Sequence, residues 1–412
     1  MSSPEDSTAA AVNKPDKPRP TPPRVKRRPG GPLHVARPGV ELPQIVITHR
    51  DMRDISDLAV AAIQEANDPP NIFRFGTALA RVRSDLPEMA IEVMSVDALK
   101  GLLDRVADFM KSTKDGLVPA RPPQDVVKDL LTRPDLDLPR LDRIVRAPVV
   151  SACGTIDTSA GYSHASRTYL LLPDGIKIPE IPQNPSGSDL ESARKLLSRD
   201  LLGDFPFVGD ADRANAMALL LLPFARELID GPTPLHLIDA PSPGSGKTLL
   251  AQVLLAPSVG GQPSVLTEGR DEDEWRKRVT SALMRAPTAI VFDNLRRPLD
   301  SSAVASVLTA HVWSDRQLGL SKMVSLPVRT VWVATGNGIT TSGEIARRSV
   351  LIRLDSEVER PWERSGFLHP NLQSWARANR GRLIWAALTI IRAWVAARAK
   401  RLLARLSRGR QR

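Results

Sequence analysis

The run Pro241-Ser-Pro-Gly-Ser-Gly-Lys-Thr248 sits between two apolar stretches, Leu235-His-Leu-Ile-Asp239 and Leu249-Leu-Ala-Gln-Val-Leu-Leu255. The first stretch reads as a strand and the second as a helix. A glycine-rich loop in that setting is built to hold phosphate. Gly244 and Gly246 let backbone N–H groups turn inward, and the start of the helix adds further donors and a positive dipole. Lys247 is the residue to reach the β- and γ-phosphates, and Thr248 the one to place a hydroxyl on Mg²⁺. Pro243, Ser245 and Leu249 complete the stretch in contact with the nucleotide. The full pattern has glycine where this chain has Pro241, a position that only starts the turn off the strand. The expected ligand is ATP with Mg²⁺.

Three later segments offer groups for the same chemistry. Ala289-Ile-Val-Phe-Asp293 is an apolar run ending in a carboxylate, as expected of a central strand delivering an acid to a metal site. Many ATPases follow that Asp with a Glu that activates water. Here Asn294 follows, and an amide is no base. Glu268, at the end of Val265-Leu-Thr-Glu268, is the candidate base instead. Thr330-Val-Trp-Val-Ala-Thr-Gly-Asn337 ends in an amide able to hold the γ-phosphate or the attacking water. Arg347 and Arg348, just before the last strand of the region, have the charge and placement of arginine fingers. Fingers act on a neighbour's nucleotide, so they imply an oligomer.

The elements that must position these groups alternate strand and helix over 231–360, the pattern of a parallel sheet with helices on both faces. Strands are expected at 235–240, 265–267, 289–293, 330–334 and 350–354. Helices are expected at 246–255, 271–284, 302–311 and 343–348. Upstream, 45–230 reads as a mixed α/β region. Its expected strands lie at 44–48, 72–75, 79–82 and 90–94 and near Val149 and Thr155. Its expected helices lie at 51–66, 96–111, 126–131, 188–202 and 211–229. Residues 1–44 contain ten prolines among Ser, Lys and Arg and read as a flexible arm. Residues 361–412 read as a basic helical segment carrying Trp375, Trp385 and Trp394. The fold class is therefore α/β: a P-loop NTPase sheet, preceded by a mixed α/β region and followed by a helical tail.

Composition narrows the function classes. The single cysteine, Cys153, excludes an intrachain disulfide framework and a cysteine zinc cluster. No stretch approaches the roughly 18 consecutive apolar residues of a spanning helix, and no apolar run follows the basic N-terminus as in a secretory signal. The expected location is the cytoplasm, with no membrane partner. The formal net charge is +11, unevenly placed. Residues 364–412 hold twelve Lys or Arg and no Asp or Glu, and 1–50 hold nine basic against four acidic residues. Two basic ends around a mildly acidic body point to a polyanion, and nucleic acid is the usual one.

In this order the motifs resemble those of AAA+ ATPases. The closer resemblance is to the helicase portion of phage and mobile-element DNA primase/helicases, a group similar to superfamily 3 helicases. It is carried by 230–238, 267–278, Phe292-Asp-Asn-Leu295, Asp315-Arg-Gln-Leu-Gly319 and Ala334-Thr-Gly-Asn337. Asn294 fits that group's own second motif. The resemblance implies a ring-shaped homo-oligomer acting on single-stranded or forked DNA. It also implies a hairpin at 318–326 projecting into the channel, with Lys322 near its tip contacting phosphate. Nothing in the chain resembles a primase site, so a primase would be a separate partner. Such proteins usually continue past the helix near Trp385 and Trp394, whereas here an Arg-rich run, 398–412, follows. The expected function is an ATP-dependent DNA motor in replication of a mobile element. A helicase-loader ATPase and a degenerate nucleotide-binding remnant are the alternatives.

Overall fold

Apolar alternation dictates where the parallel strands go, and the computed structural model follows it. Residues 41–83, 90–173, 175–316 and 323–409 are described, with side chains of the last helix described to 398. All belong to one compact unit, Pro32–Arg412.

The chain begins with β1 (Gln44–Val46), α1 (Met52–Ala66), β2 (Ile72–Phe75), β3 (Ala78–Arg83), β4 (Ala90–Val93) and α2 (Val96–Val106). It continues with β5 (Asp108–Thr113), β6 (Gly116–Pro119) and α3 (Gln124–Thr132). Two small sheets result, in the orders β1-β5-β6 and β2-β3-β4. Ile45, Ile63, Leu99, Leu103 and Val127 share a core of their own. A third small sheet is made by β7 (Arg143–Val145), β8 (Gly161–Ser163) and β9 (Thr168–Leu170), in the order β7-β9-β8. Two helices follow: α4 (Gly187–Arg194), extended by a π turn over Lys195–Leu201, and α5 (Asp210–Ala225).

The main sheet has five strands. β10 (Leu235–Ala240) leads into α6 (Lys247–Val259), β11 (Ser264–Leu266), α7 (Glu272–Leu283), β12 (Ala289–Leu295) and α8 (Ser302–Val307). The antiparallel hairpin of β13 (Val312–Arg316) and β14 (Met323–Pro327) comes next, followed by β15 (Val331–Asn337), α9 (Gly343–Ala346) and β16 (Ser349–Arg353). The strand order is β11-β12-β15-β10-β16, all parallel. Ala289, Val291, Val331, Val333, Ile238 and Ile352 face a core shared with α5 and α6. Ile290, Phe292, Trp332, Ala334 and Leu237 face the opposite core, shared with α7 and α8. Burial on both faces explains why these strands are nearly continuous apolar runs. The α5/α6 core also takes in Ala376 and Leu383–Leu388 positions of α10 (Leu372–Ala378) and α11 (Arg380–Gly409). The expected α/β architecture is thus present, with helices on both faces, mixed sheets before it and helices after it.

Several local expectations are corrected. The helix expected over 96–111 stops at Val106, where the apolar stripe Leu99-Leu102-Leu103-Val106 ends. Residues 108–113 instead form β5, whose Phe109 pairs in register with Ile45 and is buried with it. In place of strands near Val149 and Thr155 there is only a bridge from Val150 to Ile156. The helix expected over 302–311 ends at Val307; Thr309 turns its hydroxyl back to the Ser306 carbonyl, and Val312 opens β13. Among the described residues no helix is long and apolar enough to cross a membrane. Residues 1–40 of the expected arm, 1–44, and Lys322, expected near a hairpin tip, lie outside the described residues.

Candidate nucleotide site

The strand order reverses at β10: the next strand in sequence, β11, lies to one side of it and the last, β16, to the other. In open α/β sheets the crevice beyond the carboxyl ends of strands at such a point is where ligands bind. The loop 241–246 occupies that place. Gly244 and Gly246 have φ of +77° and +88°, a conformation costly for any residue with a side chain. Gly246 is also the residue from which α6 starts.

A Cβ on Gly244 would come to 3.0 Å from the Trp362 ring, a tight contact added to the backbone demand for glycine. Trp362, on the turn Pro361–Glu363, is itself 63% exposed.

Lys247, the first residue of α6, is 9% exposed and donates from Nζ to the Ser242 carbonyl at 3.1 Å. Burial pulls its pKa below the ordinary lysine value, opposed by the nearby Asp239 carboxylate. Asp239 accepts from the Ile339 N–H at 3.0 Å, tying the end of β10 to the loop after β15. One of the three ammonium donors is engaged with the loop, which leaves two for a ligand.

Thr248 and Asp293 come together, and Asn337 ends the neighbouring strand. Asp293 has the strand parity of Ala289 and Val291, and Asn337 that of Val331 and Val333, so both belong to the face covered by α6. Thr248 Oγ1 donates to Asp293 Oδ1 at 3.3 Å. Asn337 is exposed and stands in register with Ala240, the last residue before the loop. Thr335, between β12 and β10, is 1% exposed and donates to Asp293 Oδ1 at 2.6 Å. Thr248 and Asp293 supply hard oxygen donors side by side, the type Mg²⁺ takes when phosphates and water complete its shell. No trio of His, Cys, Asp or Glu suited to a metal occurs among the described residues.

The remaining candidates lie differently. Glu268 is near the end of β12 but both its oxygens are taken. Oε1 accepts from Arg297 Nε, and Oε2 from the Arg296 N–H at 3.2 Å. Arg347 and Arg348 precede β16, whose first residue is in register with Leu235. They are therefore at the amino edge of the sheet, about 16 Å of strand from the loop. Arg348 gives its carbonyl to the Leu235 N–H and bonds from Nη1 to the Glu344 carbonyl. Neither arginine belongs to the cluster.

Sequence reasoning did not single out Thr335, Asp239, Arg297 or Trp362. A polar residue two before Asn337 on an otherwise apolar strand was a readable signal for Thr335. Trp362 had none, because its contact with Gly244 spans more than a hundred residues of chain.

No protein-family model matches this chain, and no curated protein matches it. Among solved structures, the apo C-terminal region of NrS-1 aligns with a TM-score of 0.40 and 8% identity, over 80% of this chain and 69% of that one. Two structures of JCV helicase with bound small molecules align with TM-scores of 0.27 and 0.26 and identities of 12% and 11%. Each of those covers 50% of this chain and 54% of the other, so the chain spans about half the JCV protein. At these scores the case for the site rests on its own geometry.

Proposed function

We propose that the chain is an ATPase of AAA+ type, similar to superfamily 3 helicases, which binds ATP with Mg²⁺ and works as a motor on single-stranded or forked DNA. The observation that carries the nucleotide part is the contact of Thr248 with Asp293 beside a loop with left-handed glycines, with Asn337 in register with the last residue before that loop. The backbone of 243–248 and the start of α6 cradle the β-phosphate, with Leu249 following. Lys247 exchanges its bond to Ser242 for phosphate oxygens. Thr248 and Asp293 would hold Mg²⁺, which when bound would offset the charge that develops on the phosphates. Asn337 orients water or the γ-phosphate.

The DNA part rests on the two basic ends and on the β13–β14 hairpin, with Lys322 taken from the sequence as its phosphate contact. Arg347 and Arg348, remote from their own loop, fit a role toward a neighbouring subunit in a homo-oligomeric ring. A separate primase is the natural partner of such a motor, and the cytoplasm its expected place. In this division of labour 231–360 is the ATPase core, 45–230 the region before it and 361–412 a basic extension.

A helicase-loader or slow nucleotide switch is the second reading. It is favoured by Glu268, whose oxygens are both hydrogen-bonded in this state and not open to an attacking water. ATP turnover by purified protein, with and without single-stranded DNA, tests the motor. Stimulation by DNA in the wild type and loss in Lys247→Ala are expected. Turnover indifferent to DNA, with no strand separation on forked DNA, would favour the loader.

A further inference from the structure

β12 is not regular where Asp293 leaves it. Phe292 pairs with Ala334 and Leu295 with Gly336, so Asp293 and Asn294 together stand opposite Thr335 alone. Such a bulge re-aims side chains at the end of a strand. Asn294 takes φ +57° to accommodate it, a backbone region that Asn tolerates better than most residues.

A single hydroxyl closes the bulge. Thr335 Oγ1 donates to Asp293 Oδ1 at 2.6 Å and accepts from the Asn294 N–H at 2.9 Å. Its side chain is 1% exposed, so no water competes for either bond. Thr248 donates to the same Oδ1. Oδ2 has no hydrogen-bond partner among the described residues. Two protein donors on one oxygen fix the rotation of the carboxylate about its Cβ–Cγ bond and leave the other oxygen free of protein donors.

We propose that Thr335 is a positioning residue that holds the Asp293 carboxylate with Oδ2 presented to the divalent cation. It thereby sets the cation affinity of the nucleotide complex and not the affinity for nucleotide itself. The inference rests on the reading of the site as one for Mg²⁺-bound nucleotide. Thr335 touches neither cation nor phosphate; it acts through Asp293. Groups that orient metal ligands in this way are worth roughly 10- to 100-fold in metal affinity.

The test uses the full chain in three forms: wild type, Thr335→Val and Thr335→Ser. Binding of a fluorescent ATP analogue is measured in EDTA, where only the loop and Lys247 contribute. Binding of Mn²⁺ to the protein–nucleotide complex is followed by electron paramagnetic resonance. Thr335→Val is expected to leave nucleotide affinity in EDTA unchanged and to weaken Mn²⁺ roughly 10- to 100-fold, with Thr335→Ser restoring most of the loss. If the valine variant does not fold, Thr335→Ala serves the same comparison. Mn²⁺ affinity equal to wild type overturns the inference. So does an equal loss of nucleotide binding in EDTA, since that marks a role in folding alone. A wild type that binds nucleotide in neither condition sinks the nucleotide reading, and this inference falls with it.

Discussion

At the carboxyl end of β10 and β12, Lys247 makes one bond to a loop carbonyl, and Asp293 is bonded on one oxygen of two. Below the amino ends of β10 and β15 the charges are spent differently. Arg226, 1% exposed, donates to the carbonyls of Ile229, Gly231 and Val328 at 2.9–3.0 Å. Arg143, also 1% exposed, donates to Glu227 at 2.9 Å and to the Pro223 carbonyl at 2.8 Å. Burial, with Arg329 and Arg143 nearby, pulls the Arg226 pKa down to about 10, which leaves it charged at neutral pH. Burial likewise raises the Asp142 carboxyl, with Glu227 adding to the effect. One edge spends most of its guanidinium donors on partners within the chain, leaving only Arg143 Nη1 and Arg226 Nε of these two side chains without one among the described residues, and so fixes how the segments before β10 and β15 meet β7. The other keeps donors and acceptors in reserve, as a ligand site requires.

Breaking the buried edge should have the largest effect on stability and none on ligand affinity. Arg143→Met leaves Glu227 buried without its guanidinium and should cost about 3–5 kcal/mol, read from urea denaturation. Nucleotide affinity measured below the transition should be unchanged; a matching fall in affinity would show that the two edges are not independent.

The next effect is one of pH. His236, on β10, is 2% exposed, and burial pulls its pKa down to about 4 from the ordinary value of 6.5. Because the folded pKa is the lower one, its contribution is fully present above about pH 6.5 and is lost as pH falls toward 4. The loss amounts to roughly 3 kcal/mol. Denaturation curves at pH 7 and 4.5 should show most of that loss in the wild type and a smaller one in His236→Leu. Equal losses in both would assign the acid sensitivity to other groups.

The smallest effect on stability belongs to the carboxyl edge. Arg297, with its side chain 55% exposed, pairs with Glu268, and such pairs contribute under about 1 kcal/mol. Arg297→Ala should leave the unfolding midpoint nearly unchanged while raising ATP turnover, since Glu268 is then released to act as a base. Unchanged turnover would remove Glu268 from the reaction.

The parts of this arrangement that were legible in the sequence are those specified locally. Gly244, Gly246 and Lys247 between an apolar strand and an apolar helix announced the loop. Apolar runs ending at Asp293 and Asn337 announced the two strands that flank it. Segments decided by distant partners were not legible. Residues 108–113 become a strand because β1 is there to pair with them, and 96–111 alone reads as one helix. The placing of Arg347 and Arg348 at the far edge follows from the register of β16 on β10, which no local pattern carries. Asn294 is a further case. It stands where a catalytic Glu is often found, yet its left-handed backbone in the bulge gives a conformational reason for Asn that only the strand pairing reveals.

A motor of this kind works only if the loop 241–248 receives a triphosphate. Calorimetric titration of the wild type and Lys247→Ala with ATP and Mg²⁺ tests this most directly. Saturable one-site binding is predicted for the wild type, weakened roughly 10- to 100-fold when the ammonium is removed. No binding by a folded wild type at millimolar ATP, or equal binding by the variant, would contradict it.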